Sequence, residues 1–181
     1  MMAKIAQLQA NGCVPETNWQ DIQGVTLEVP HRTLWTHLQF RRYAQCPICN
    51  LHVRDFFRNH EKIHRAGIQE IIIFQSTREQ LVSHLHDGNV HVIADPKRQL
   101  YQLFGVQNSM RSVLHPGAWW SAMKGAAKFG MHLPRNAESM FGMPADFLIS
   151  PEGVIVEAHY GRHADDHWSV EDLIQKRSVG R

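Results

Sequence analysis

From Val25 onward the chain alternates between extended and helical patterns. VTLEV and, after Pro30 and His31, RTLWTHLQF are rich in β-branched and aromatic residues and read as two strands. Pro47 to Ala66 reads as one continuous helix. Its apolar positions Cys49, Val53, Phe56 and Ile63 follow 3–4 spacing, and Gly67 is its stop. IQEIIIFQ is an almost unbroken apolar run, the pattern of a strand buried on both faces of a parallel sheet. Ser76 or Thr77 can cap a helix to about Asp87, with Glu79 or Gln80 completing a capping box. VHVIA is another short strand, and Asp95-Pro96 opens a helix that Gly105 closes. Residues 106–142 are irregular, with a helical insertion expected around 117–129. ADFLIS, the turn Pro151-Glu152-Gly153 and VIVEAHY form a hairpin, and Ser169 caps a last helix to about Lys176.

Strands alternating with helices, followed by a hairpin and a helix, predict an α/β fold with a mixed central sheet. Residues 1–24 carry little pattern and read as a tail and lead-in; residues 25–181 read as one domain. The chain has 181 residues, 43% hydrophobic and 20% charged, which excludes a disordered polymer. A net charge of +2 is too balanced for a dedicated nucleic-acid binder. No apolar run approaches the roughly 20 residues that span a bilayer, and MMAKIAQLQANG lacks a secretory signal's apolar centre. Three cysteines do not make a disulfide scaffold. The expectation is a cytoplasmic protein without nucleic-acid or membrane partners.

Cys46-Pro47-Ile48-Cys49 carries the most chemistry, because it follows a strand and opens a helix. A sulfur at a helix N-terminus faces unpaired amide N–H groups and the positive end of the dipole, which favour thiolate over thiol. Arg41 and Arg42 push the same way if they point at the site. Pro47 costs nothing there, since the N–H it lacks would have no helical partner. Two intervening residues let the second sulfur, one turn further in, attack a mixed disulfide on the first. Cys46 is therefore expected to be the exposed nucleophile, with a pKa below the ordinary value of about 8.5, and Cys49 the shielded resolving thiol. The competing readings are half a zinc site, which lacks a second C-x-x-C, and two inert core cysteines. Cys13 stands alone near the terminus and reads as structural or incidental.

The runs FRRYAQCPICNLHVRDF, ADPKRQLYQLFGV and FGMPADFLISPEGVIVEAHYG resemble thioredoxin-fold proteins. More narrowly, the chain resembles the peroxiredoxin-like branch of the alkyl hydroperoxide reductase/thiol-specific antioxidant (AhpC/TSA) family, over about residues 20–177. The resemblance implies a thioredoxin-like fold with Cys46 as nucleophile, a disulfide or peroxide substrate, and an external thiol reductant of thioredoxin or glutathione type. It also implies that Pro144 matches the cis-proline facing the cysteines, so that Met143 would offer its backbone to an extended substrate. The chain departs from the family at three places. Gln39 and Tyr43 stand where peroxidatic sites carry a proline and a threonine, and Pro144-Ala145-Asp146-Phe147 carries no arginine ahead of the strand. Gln45 replaces thioredoxin's tryptophan. Dithiol–disulfide chemistry is thus the direct reading, with peroxidase activity its extension.

A second motif competes. His60-Glu61-Lys62-Ile63-His64 satisfies H-E-x-x-H, and Gly67 and Glu70 extend it toward a metzincin-like pattern, with Met140 or Met143 as a methionine turn. Against a zinc peptidase, Gly67 serves as a helix stop and Glu70 falls in the next strand. Along a helix rising 1.5 Å per residue, Cys46 and His64 would be about 27 Å apart, so the two motifs cannot share one site. His159, His163 and His167, with Asp165 and Asp166, form a looser cluster that fits no metal template. Trp119 and Trp120 read as core filling, or as a lid over the cysteines. The expectation is a thiol–disulfide oxidoreductase needing no cofactor or resident metal. The alternatives are a zinc metallopeptidase and a thioredoxin-fold binding module whose cysteines are inert.

Overall fold

The computed structural model describes residues 6–44, 46–84, 90–106 and 142–180. The insertion expected around 117–129, with Trp119, Trp120 and Met140, lies outside the described residues. Among the described residues, five strands form the central sheet: β3 (Trp35–Phe40), β4 (Ile68–Phe74), β5 (His91–Ala94), β6 (Ala145–Ile149) and β7 (Ile155–Tyr160). Their order is β5-β4-β3-β6-β7. The first three run parallel, while β6 and β7 are antiparallel to their neighbours. Every residue of β4 is buried, as its continuous apolar run requires. A separate antiparallel pair joins β1 (Thr17–Gln20) to β2 (Thr26–Val29). The short, polar β1 sequence TNWQ gives no strand signal of its own; its pairing with β2 makes it extended.

The helix expected over Pro47–Ala66 is two helices, α1 (Pro47–Arg58) and α2 (His60–Arg65). The break falls at Asn59, whose side-chain Nδ2 donates to the Asp55 carbonyl at 2.9 Å and competes with the helical backbone bond. Gly67, at φ +75°, makes the left-handed stop that turns the chain into β4. Thr77 and Gln80 form the box ahead of α3 (Arg78–His84), with the Thr77 amide donating to Gln80 Oε1 at 2.8 Å. Asp95 caps α4 (Gln99–Leu103) from further away than a simple N-cap. A turn intervenes, and its carboxylate accepts from the amides of Gln99, Leu100 and Tyr101. Ser169 and Asp172 close a full capping box on α5 (Val170–Val179).

Strand alternation divides the core. One face of the sheet buries Leu38, Phe40, Ile71, Ile73, Phe147 and Ile149 against Tyr101 and Phe104 of the α4 region. The other buries Ile72 and Phe74 against Val53 and Phe57 of α1, and Leu148 against Phe56 and the α5 residues Val170 and Leu173. Helix α1 is thereby held across the sheet, with its N-terminus directly after the loop that leaves β3. No helix among the described residues is long and apolar enough to cross a membrane.

Candidate active site around Cys46 and Cys49

Cys46 is the N-cap of α1, with extended backbone, and Pro47 occupies the first helical turn. The Cys46 Sγ accepts from the Cys49 amide at 3.4 Å and from Arg42 Nη2 at 2.9 Å. A guanidinium and a helix-terminal N–H thus converge on one sulfur, an arrangement that favours negative charge there. The Cys46 amide donates back to the Tyr43 carbonyl at 3.0 Å, which fixes the loop between strand and helix.

The expected contrast between an exposed Cys46 and a shielded Cys49 is not found. Cys46 is 0% and Cys49 3% exposed, packed with Tyr43 and Ala164. Neither is the expected acidity of Cys46. Burial, the hydrogen bond to Cys49 and the charge on that sulfur push Cys46 well above the ordinary thiol value, against Arg42 and the Cys49 amide. Cys49 is held well below it, because the hydrogen bond from Cys46 and the Arg42 charge outweigh burial. The two sulfurs therefore titrate as one unit, in which Arg42 favours a first negative charge and the first charge opposes a second. Reciprocally, the two sulfurs raise Arg42 against its own burial.

The two arginines expected to act together face opposite ways, as neighbours on extended backbone must. Arg42 reaches the sulfurs; Arg41 turns into the core, where its Nη2 lies 2.7 Å from Asp146 Oδ1. There it joins a buried polar network. The β3–β4 register sets His37 opposite Glu70, and the β3–β6 register sets Gln39 opposite Asp146. His37 Nδ1 is 2.7 Å from Glu70 Oε2, and His37 Nε2 is 3.5 Å from Asp146 Oδ1. Burial alone would lower His37, but Glu70 and Asp146 raise it to about 9. Asp146 is held far below the carboxylate range by Arg41 and His37 despite its burial. Burial and Arg41 lower His52 of α1, whose Nε2 is 2.9 Å from Arg41 Nη2. The polar alternation His37, Gln39, Arg41 is visible in the sequence, but alone it reads as a strand with one wet face.

Pro144 is not cis: the cis peptide among the described residues is Val29–Pro30. The Pro144 carbonyl accepts from the Gly161 amide at 2.9 Å, which ties the start of β6 to the end of β7. Met143 is half-buried and follows Gly142, where an added Cβ would fall 3.4 Å from Arg42 Cγ. Gln39, standing where the family's peroxidatic proline would be, belongs to the buried network and bonds Glu70 and Arg41.

The H-E-x-x-H residues lie on α2. His60 Nδ1 pairs with the Phe57 carbonyl at 2.9 Å, and Glu61 pairs with Arg65 at 2.6 Å on the exposed side. His60 and His64 line a pocket of about 280 Å³ together with Glu70, but no group of three metal-ligating side chains comes together among the described residues. In the C-terminal cluster, His159 pairs with Asp166 at 2.9 Å and His167 with Asp165 at 3.4 Å. Cys13 is exposed and bridges Val154 through its backbone.

The arrangement has relatives of known structure. A peroxiredoxin-like protein from Aquifex aeolicus superposes with a TM-score of 0.66 at 12% identity, covering 97% of this chain and 90% of that one. Peroxidoxin BcpB from Mycobacterium tuberculosis gives 0.64 at 11% identity, over 97% and 99%. A putative thiol:disulfide interchange protein DsbE from Chlorobium tepidum gives 0.58 at 18%, over 97% and 99%. At these identities the likeness establishes the thioredoxin-like fold. Among curated proteins no sequence matches. The AhpC/TSA antioxidant enzyme family matches residues 55–163, beginning just after the two cysteines. The chain belongs to that family of AhpC/TSA antioxidant enzymes and is a thiol-dependent oxidoreductase.

Proposed function

We propose that the protein reduces hydroperoxides with Cys46 as attacking thiolate and Cys49 as resolving thiol. The observation that carries this reading is the Cys46 Sγ, held at the mouth of α1 by Arg42 Nη2 and the Cys49 amide. The pair carries one negative charge. Transfer of the Cys46 proton to Cys49 places the thiolate on Cys46, where these donors meet it. Attack on the terminal oxygen of R–O–OH forms Cys46–S–OH and releases an alkoxide, which takes a proton from water. Cys49–SH then attacks the sulfenic sulfur, forming the Cys46–Cys49 disulfide and releasing water. Two equivalents of an external thiol restore both cysteines and leave as a disulfide. Burial of both sulfurs supports a small peroxide over a protein disulfide, and family membership supports the same substrate class. Arg42 supplies the cation that the family's missing strand-edge arginine would give.

Mass spectrometry of two variants tests the assignment. Cys46→Ser should lose turnover outright. Cys49→Ser should retain the first step and accumulate sulfenic acid on Cys46 after peroxide, or a mixed disulfide on Cys46 after a disulfide challenge. An adduct held on Cys49 in wild-type protein, or equal oxidation of the two sulfurs, would overturn the division of roles. Turnover of disulfides without any consumption of hydroperoxide would replace the substrate.

A further inference from the structure

Gln75 follows directly on β4, and the β3–β4 register carried two residues beyond Phe40 and Ile73 sets it opposite Arg42. The Gln75 amide donates to the Arg42 carbonyl at 3.0 Å, and the Ala44 amide donates to Ser76 Oγ at 2.7 Å. The end of β4 is thus tied to the loop that carries Cys46. Alternation puts Gln75 on the face of Ile71 and Ile73, and Arg42 on the face of Leu38 and Phe40, which is the same face. Both side chains lie against Gly142. A Cβ there would fall 2.4 Å from Gln75 Nε2 and 3.4 Å from Arg42 Cγ, so glycine makes the room that the amide occupies.

Gln75 is 1% exposed, yet neither Nε2 nor Oε1 has a hydrogen-bond partner among the described residues. Burying a primary amide with both ends unsatisfied is costly and rare. Its neighbour Arg42 bonds the Cys46 sulfur. An amide presents a donor and an acceptor side by side. A hydroperoxide offers the complement, an O–H that donates and oxygens that accept. A disulfide has no donor and only weak acceptors.

We propose that Gln75 binds the hydroperoxide beside Cys46. The proposal rests on the peroxidase reading above. Oε1 accepts the terminal O–H, and Nε2 donates to the R–O oxygen. As the Cys46 thiolate forms the S–O bond and the O–O bond breaks, sulfur is oxidised and the peroxide reduced. The Nε2–H then meets the charge growing on the departing alkoxide, which water protonates.

Gln75→Met keeps the length and removes both polar groups; Gln75→Glu keeps the acceptors and removes the donor. In the full-length reduced protein, stopped-flow oxidation of Cys46 by hydrogen peroxide and by cumene hydroperoxide should slow about a hundredfold or more in both variants, the scale of losing one transition-state donor. Alkylation of Cys46 by iodoacetamide should stay within about twofold of wild type in Gln75→Met, which adds no charge beside Arg42, and the Tm of that variant should not fall, since an unsatisfied amide has been removed. Peroxide rates equal to wild type in either folded variant would overturn the proposal. So would a lower Tm of Gln75→Met with peroxide and iodoacetamide rates falling together, which would make Gln75 a packing residue. If Gln75→Met does not fold, that too assigns Gln75 to packing and overturns the proposal. Wild-type protein inert to both peroxides but active on disulfides would instead remove the peroxidase reading, and this proposal with it.

Discussion

Arg42 Nη2 stands 2.9 Å from the Sγ of Cys46, while the next residue back in the chain, Arg41, bonds Asp146 on the opposite side of the sheet. One strand end therefore delivers two guanidinium groups to two different tasks. The first makes a buried sulfur pair tolerable as an anion; the second neutralises a buried carboxylate. Only extended backbone separates adjacent side chains this way.

Replacing Arg42 by Met removes the cation from both sulfurs. The first proton of the pair should then leave at a higher pH, and alkylation at neutral pH should slow about tenfold for each unit that the pKa rises. Arg42→Lys should recover part of the rate, because it restores charge but not the planar donor fork. Thiolate absorbance against pH, with iodoacetamide rates alongside, reads both effects. Unchanged titration in Arg42→Met would disconnect the guanidinium from the thiol chemistry.

The coupling between the sulfurs has its own signature. With Cys13 replaced by serine in every protein compared, the otherwise wild-type chain should titrate in two steps, one below and one above the ordinary thiol value, since the first charge opposes the second. In Cys49→Ser the neighbouring thiolate is gone, so Cys46 faces only Arg42, the helix amides and its own burial. A single step should remain, lying below the second step of wild type. Two coincident steps in wild-type protein would show the sulfurs to be independent.

The strand–turn–helix setting of the cysteines was legible because each element has a local cause: β-branched runs, Pro47 at the first helical turn, Gly67 at the stop. The identity of the useful arginine was not, since Arg41 and Arg42 are equivalent until the face each occupies is known. Gln39 and His37 are alternate polar positions of β3, a pattern that by itself suits a strand with one wet face. Their burial follows from Phe56 of α1 and Trp168 packing on that face, a long-range fact that no local pattern records. The acidity of the cysteines is legible only in part for the same kind of reason: helix-end electrostatics are local, whereas burial and mutual coupling depend on the packed site. Gln75 gave no signal, because a lone glutamine after a strand is unremarkable until both ends of its amide are found unpaired.

Gly161 shows how closely the β6 entrance is packed. A Cβ there would lie 2.4 Å from the Asp166 carbonyl oxygen and 2.6 Å from Pro144 Cγ. The first of these is backbone and cannot rotate away. Gly161→Ala should therefore cost about 1–3 kcal/mol, as overpacking does, and should slow Cys46 oxidation by shifting the Met143–Pro144 segment. Denaturant unfolding with peroxide kinetics on the same samples checks both. A variant as stable and as fast as wild type would mean that the segment moves freely.

The last prediction concerns pH and the buried network. His37 is fully buried, and against the desolvation that would keep it neutral, Glu70 and Asp146 raise it to about 9. In the unfolded chain it returns to about 6.5. A raised pKa means that the folded state binds the proton more tightly. The stabilisation is therefore complete below about pH 6.5 and is lost as the pH rises through about 9. Over that window the folding free energy should decline, and at higher pH the decline from this group should stop. On the acid side Asp146 works in the other direction: its depressed pKa contributes above the ordinary carboxylate value and is lost as the pH falls below it. His37→Gln should lower stability near neutrality and flatten the alkaline decline. Asp146→Asn should cost about 3–5 kcal/mol, because it leaves Arg41 and His37 without their buried counter-charge. Urea unfolding of wild type and His37→Gln from pH 6 to 10 makes the comparison. Parallel curves for the two proteins would show that His37 does not carry its proton in the folded state.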